Sequence, residues 1–215
     1  MNQRLLLVLA GPSGGGKTSV CRRIVTARPE VRFSVSVTTR PPRPGERDGL
    51  DYRFVSRDSF EALIESDGLL EWAEVHGELY GTPRAVVQGP TTGPCCLLLD
   101  IDVKGARQVR QREPDAVLVF LLPPSAREMI GRLRRRGSED EERLARRLRT
   151  AVEELEAADE FDYVVVNEDL DLTVRTVESI VDAELHRTSR CRDAVLERTA
   201  GLREALKADL TRSYT

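Results

Sequence analysis

The chain has 215 residues, and its 33 basic residues nearly balance 36 acidic ones, for a net charge of −3. That balance gives no global attraction to a nucleic acid polymer or a membrane surface. Two histidines, and four cysteines (Cys21, Cys95, Cys96, Cys191) without C-x-x-C spacing, argue against a histidine-based hydrolase, a zinc site or a disulfide framework. No apolar run approaches the roughly 20 residues of a membrane span. The N-terminal residues carry no signal-peptide cleavage pattern, so a cytoplasmic protein with buried thiols is expected.

Arg4 to Ala10 reads as a buried strand, and it runs directly into Gly11-Pro12-Ser13-Gly14-Gly15-Gly16-Lys17-Thr18. These eight residues match the phosphate-loop pattern G-x-x-x-x-G-K-[ST] at every fixed position. Thr18 to Arg28 follows as a helix with Val20, Cys21, Ile24 and Val25 on one face and Pro29 stopping it. Strand, loop and helix together are the context the pattern requires. The glycines let backbone N–H groups approach phosphate oxygens, and the helix N-terminus adds partial positive charge. Lys17 is placed to reach the β- and γ-phosphates, and the Thr18 hydroxyl to bind magnesium. Only Lys17, Lys104 and Lys207 are lysines among the basic residues, so a lysine at the position needing a compact ammonium is not an effect of composition. A nucleoside triphosphate ligand is expected.

From Ser34 to Arg84 the chain turns polar and turn-rich, which reads as an inserted subdomain of short strands and loops. Cys95 to Asp100 is a buried strand ending in a carboxylate, and Ala116 to Leu122 is a second, closed by Pro123-Pro124. From Ser125 to Ala158 the sequence is helical and charged. Gly137 separates two helices, Ser138 and Glu141 form a capping box, and Leu144, Leu148, Val152 and Leu155 make the apolar stripe of the second. Phe161 to Val166 is a further strand, followed by Asn167, and the apolar positions from Leu172 to Leu185 mark a helix. In the tail from Ser189 to Thr215, Val195, Leu202, Leu206 and Leu210 line an amphipathic helix, expected to pack on the core or, in the sharper alternative, to form an oligomer contact. The alternation predicts an α/β fold: a parallel sheet flanked by helices, with a core over 1–35, 86–124 and 157–215 (189–215 being the helical extension) and insertions over 36–85 and 125–156.

Beyond the phosphate loop, several segments carry a specific resemblance: Phe33 to Glu46 (FSVSVTTRPPRPGE), Gly49 to Phe54, Leu70 to Glu74, Tyr80-Gly81-Thr82, Leu99 to Gly105, Arg136-Gly137-Ser138 through Leu148, and Val166 to Leu170. From about residue 4 to residue 187 the chain resembles the guanylate kinases. The resemblance implies a phosphate-loop kinase core, a GMP-binding subdomain over 36–85 and a helical lid over 125–156. It implies transfer of the γ-phosphoryl group of ATP to GMP or dGMP, giving ADP and GDP or dGDP, with Mg²⁺. ATP would be bound by Gly11, Pro12, Ser13, Gly14, Gly15, Gly16, Lys17, Thr18, Ser19 and Asn167. Ser36, Arg40, Arg43, Tyr52, Glu71, Tyr80, Thr82 and Asp102 would bind GMP. Lys17, Arg40, Arg136 and Arg147 would act on the transferring group, and Thr18 and Asp100 on the metal, Asp100 through water. Guanine offers N1–H and N2–H₂ as donors and O6 as an acceptor, which suits Glu71 and the Ser36 hydroxyl; read without the resemblance, Glu71 is a solvated charge beside Trp72. The division of roles between Asp100 and Asp102 stays open, and Asn167 reads equally as a strand-end turn. The alternative function is a guanylate-kinase-like protein-interaction module without catalysis. Phosphokinases acting on ribose phosphates share the chemistry but would not be expected to retain the whole guanine-reading set of Ser36, Glu71 and Thr82. A monomer or small homo-oligomer is expected.

Overall fold

Strand β1 (Arg4–Ala10) is apolar on successive residues from Leu5 onward, so both of its faces must be covered. In the computed structural model, which describes residues 4–75, 77–88, 95–135 and 141–213, helices cover both. Leu5, Leu7 and Leu9 face one side and Leu6, Val8 and Ala10 the other. After the phosphate loop comes α1 (Lys17–Ala27), then β2 (Val31–Phe33). The first insertion carries β3 (Val37–Thr38), β4 (Arg53–Phe54), α2 (Arg57–Glu65), β5 (Leu69–Val75) and β6 (Glu78–Pro83). The chain continues through α3 (Arg84–Gln88), β7 (Cys95–Asp100), α4 (Val103–Arg112) and β8 (Val117–Leu122). Next are α5 (Ala126–Arg135), α6 (Glu141–Glu156), β9 (Tyr163–Val166), α7 (Leu170–Leu185) and α8 (Thr188–Ser213).

The core sheet has the order β2-β7-β1-β8-β9, with every pairing parallel. Val20, Cys21 and Ile24 of α1 and Val177 and Val181 of α7 pack on its Leu5-Leu7-Leu9 face, and Ala106 and Val109 of α4 pack on the other. Cys21, Cys95 and Cys96 are buried free thiols in this packing. In such open parallel sheets the ligand crevice lies beyond the carboxyl ends of the strands. The β1–phosphate loop and the β7–α4 connection both open there.

The second sheet has the order β4-β3-β6-β5, with β3 and β4 parallel and the β5–β6 hairpin antiparallel. Short strands and loops therefore describe residues 34–84 incompletely. Helix α2 is missing from that reading; it is capped by the Ser56 side chain and anchored by the fully buried Phe60. Its nine residues present too few apolar positions to declare a period. Gln108 of α4 joins the two sheets. Its side-chain amide donates to Trp72 O at 2.7 Å and accepts from Trp72 N at 3.2 Å, pairing with the edge of β5 as a neighbouring strand would.

Helices α5 and α6 pack through Met129, Leu133, Leu144, Leu148 and Ala151. Val152 is 58% exposed, which corrects the expected stripe to Leu144-Leu148-Ala151-Leu155: one residue on, the helix has already turned 100° away from the contact. Gly137, Ser138 and the expected capping box lie outside the described residues. The tail departs from the expected packing on the core. Helix α8 is kinked at Cys191 and then leaves the body, with Val195, Leu202, Leu206 and Leu210 between 41% and 65% exposed. Both faces of the core sheet are already occupied by α1, α7 and α4, so neither is open to the tail.

Candidate active site

The loop from Gly11 to Gly16 turns back on itself through a Gly15 N–H to Pro12 O bond of 2.9 Å. Gly16 is the N-cap of α1 with φ 96°, in the left-handed region where a side chain is strained. Lys17 Nζ folds over the loop, donating to Gly11 O at 2.6 Å and reaching Pro12 O at 3.4 Å. Among the described residues its hydrogen-bond partners are backbone carbonyls, which it can exchange for phosphate oxygens. Leu9 of β1 is in register with Asp100 of β7, which brings the carboxylate beside the loop, and Thr18 Oγ1 donates to Asp100 Oδ2 at 2.9 Å.

Two residues further on, Asp102 is the N-cap of α4, its Oδ1 accepting from Gly105 N at 2.7 Å. It lines the same cavity as Glu71. Both aspartates line this cavity, Asp100 bonded to the Thr18 hydroxyl and Asp102 to the first turn of α4.

Glu71 stands on β5 and is 3% exposed, far from the solvated charge its neighbours suggest. Thr82 Oγ1 on the paired strand β6 donates to Glu71 Oε1 at 2.7 Å. Thr82 is itself fully buried, so it orients the carboxylate from behind. Oε2 lies against Gly105, where a Cβ would stand 2.5 Å away. Burial pushes the Glu71 carboxyl up to about 7; the Thr82 bond opposes the rise and the Asp102 charge adds to it. A cavity of about 250 Å³ runs from Lys17 and Thr18 to Ser36, Tyr52, Tyr80 and Glu71. Phosphate loop and buried carboxylate therefore share one space.

Arg40 donates from Nη2 to both oxygens of Glu46 at 2.9 Å, and its guanidinium lies 5.4 Å from the Tyr52 ring centroid and 5.8 Å from that of Phe54. Tyr52 meets Tyr80 edge-on at 6.0 Å, and burial pushes its hydroxyl up to about 12, so it stays a donor. Arg43 borders an adjoining cavity of about 410 Å³ with Ser13, Tyr80, Asp102, Arg147 and Glu154. From the lid, Arg147 Nη2 donates to Ser13 Oγ at 3.0 Å, and Glu154 Oε2 accepts from Ser13 N at 3.2 Å. Arg136 lies outside the described residues.

Asn167 follows β9 and is 5% exposed. Its Nδ2 donates to Gly15 O at 2.7 Å and its Oδ1 accepts from Thr173 at 3.1 Å, so the side chain braces the phosphate loop. It borders a hollow of about 430 Å³ with Gly14, Gly16, Ser19, Arg132, Glu168 and Leu170. The sequence reading passed over Glu46, Arg132, Glu154 and Thr173. Glu46 stood inside a quoted segment, and the seven-residue spacing from Arg147 was the only trace of Glu154.

The guanylate kinase family model matches residues 3–184. The chain belongs to the guanylate kinase family. A guanylate kinase of Rhodococcus jostii (strain RHA1) is 55% identical over 167 residues, 77% of this chain and 81% of its own length. One from Desulfitobacterium hafniense (strain Y51) is 48% identical over 189 residues, 88% of this chain and 94% of its own. The crystal structure of guanylate kinase from Anaplasma phagocytophilum aligns with a TM-score of 0.71 at 35% identity, covering 86% of this chain and 88% of that one. Helix α8 begins beyond the residues that the guanylate kinase family model matches.

Proposed function

We propose that this protein transfers the γ-phosphoryl group of ATP to GMP or dGMP, giving ADP and GDP or dGDP. The observation that carries the reading is the single cavity in which Lys17 and Thr18 face Ser36 and Glu71. Backbone N–H groups of residues 11–16 and the N-terminus of α1 hold the donor phosphates, with Lys17 leaving its carbonyl partners for them. The hollow beside Asn167 and Arg132 takes the adenine end, Asn167 acting chiefly through the loop it braces. On the acceptor side, the ionised Glu71 accepts from guanine N1–H and N2–H₂ while Ser36 donates to O6. Arg40, Arg43, Tyr52 and Tyr80 hold the GMP phosphate, with Arg40 passing from Glu46 to the substrate.

Phosphoryl transfer needs little proton chemistry, and positioning with charge neutralisation carries most of the rate. Arg147 reaches the loop from the lid, and with Arg136 it is assigned to the charge on the transferring group. The Thr18 hydroxyl and Asp100 carboxylate are adjacent oxygen donors of the kind Mg²⁺ takes alongside water and substrate phosphate. They would hold that ion, which would neutralise charge on the β- and γ-phosphates. Buried free thiols suit a reducing cytoplasm, and among the described residues no helix is long and apolar enough to cross a membrane. The intact loop gives no support to a purely binding module. A coupled assay of ADP release, with GMP, dGMP, AMP, CMP and UMP offered separately, tests the reading. Turnover with GMP and dGMP is expected; equal turnover with AMP refutes the base assignment.

A further inference from the structure

The lid helix α6 grips the phosphate loop at one residue from two sides. Arg147 holds the Ser13 hydroxyl, and Glu154 holds the Ser13 backbone N–H. The two lid residues are seven apart, about two helical turns, so both project from one face of α6. A backbone N–H in a phosphate loop is ordinarily an anion donor, and here a protein carboxylate occupies it. Burial raises the Glu154 carboxyl; Lys17 and the Ser13 N–H counter that rise, Asp102 adds to it and Lys104 opposes it. A carboxylate beside a triphosphate site opposes donor binding and serves none of the transfer chemistry. Its use must lie in what it fastens.

We propose that Glu154 is a positioning residue. By holding the Ser13 N–H it fixes the seat of α6 on the phosphate loop, and so sets where the Arg147 guanidinium stands. The proposal rests on the phosphoryl-transfer reading above. Misplacing a group by about 1 Å costs up to about 100-fold in rate, so a single fastening bond two turns from Arg147 has leverage on kcat.

Two measurements test this, on Glu154→Gln, Glu154→Ala, Glu154→Asp, Arg147→Ala and the Glu154→Ala/Arg147→Ala pair, each first checked for a cooperative melt. The first is amide exchange over residues 11–16 without nucleotide, which needs no activity. Glu154→Gln keeps a carbonyl acceptor and should leave exchange within about twofold of wild type, whereas Ala, or Asp with its shorter reach, should accelerate it about tenfold. The second is steady-state turnover. Glu154→Ala and Glu154→Asp should lower kcat about tenfold with the KM for GMP within about twofold, and Glu154→Gln should restore kcat. In the Arg147→Ala background, Glu154→Ala should cost less than about twofold more. An equal loss in both backgrounds, an equal loss for Gln and Ala, or unchanged exchange in Ala and Asp overturns the proposal. Wild-type protein that fails to turn over refutes the transfer reading instead, and the exchange data still decide whether Glu154 holds the loop.

Discussion

Replacing Glu71 by glutamine tests the base-reading assignment and its electrostatics together. The two side chains are nearly isosteric, and Thr82 can donate to the amide oxygen as it donates to Glu71 Oε1. What changes is charge, and one guanine donor now meets an NH₂ group. Losing a charge-assisted pair at a buried site should lower kcat/KM for GMP by about 2–4 kcal/mol, roughly 30- to 1,000-fold. AMP, which has an acceptor at N1 and only C–H at C2, should gain relative to GMP. The pH dependence carries a second signature. The folded-state Glu71 carboxyl sits at about 7, above its ordinary 4.5, so guanine binding needs a deprotonation that the free enzyme resists. In wild type, kcat/KM for GMP should fall as pH drops through about 7. The glutamine variant should lose that limb and keep only the titration of the GMP phosphate, whose second pKa is about 6. Stability runs the other way. Because the folded pKa is raised, the contribution of Glu71 is fully present below about pH 4.5 and lost as pH rises through about 7. That shift corresponds to about 3 kcal/mol. Glu71→Gln should therefore melt higher than wild type at pH 8, with the gap closing at pH 5. An unchanged AMP-to-GMP ratio together with an unchanged acid limb would refute the assignment.

Lys17→Ala should fold normally, since Nζ bonds to carbonyls of the loop and not to the core, yet lose about three orders of magnitude or more in kcat, checked by circular dichroism and turnover. In Gly105→Ala the new Cβ meets Glu71 Oε2 at 2.5 Å, and the carboxylate, the movable end of its side chain, must shift. The KM for GMP should rise about tenfold or more while the KM for ATP and the melting temperature hold, because alanine favours helix α4 by about 0.5–1 kcal/mol. Asn167→Ala removes the 2.7 Å brace on Gly15 O and should raise the KM for ATP with a stability loss of about 1–3 kcal/mol, read by kinetics and denaturant melts. An unaltered KM for ATP would mean that the loop holds its shape without Asn167.

The core was legible because its signals are local. Arg4–Ala10 reads as a strand from uninterrupted apolar residues and the loop from its glycines and lysine, and both lie where expected. Glu71 was not legible from its neighbours alone: a charged residue beside Trp72 looks solvated until the β5–β6 pairing and helix α4 close around it. Glu154 is one of many glutamates on a charged helix, and only the docking of α6 on Ser13 singles it out. The expected packing of the tail on the core failed for the converse reason. Val195, Leu202, Leu206 and Leu210 announce an apolar stripe, but periodicity states what a helix could bury and not whether any surface remains to receive it.

The parallel pairing of β1 with β7 sets Leu9 opposite Asp100, and the two chains then diverge, one into the phosphate loop and the other into the turn that ends at Asp102. Adjacent strands in a sheet are about 4.8 Å apart, a distance fixed by backbone hydrogen bonds and indifferent to side-chain identity. The sheet thus acts as a ruler between the phosphate loop and the turn that carries Asp100 and Asp102. That spacing belongs to the core sheet and is set independently of the second sheet, on which Glu71 stands. An engineer seeking a different acceptor can accordingly redraw residues 36–85 and leave this spacing untouched.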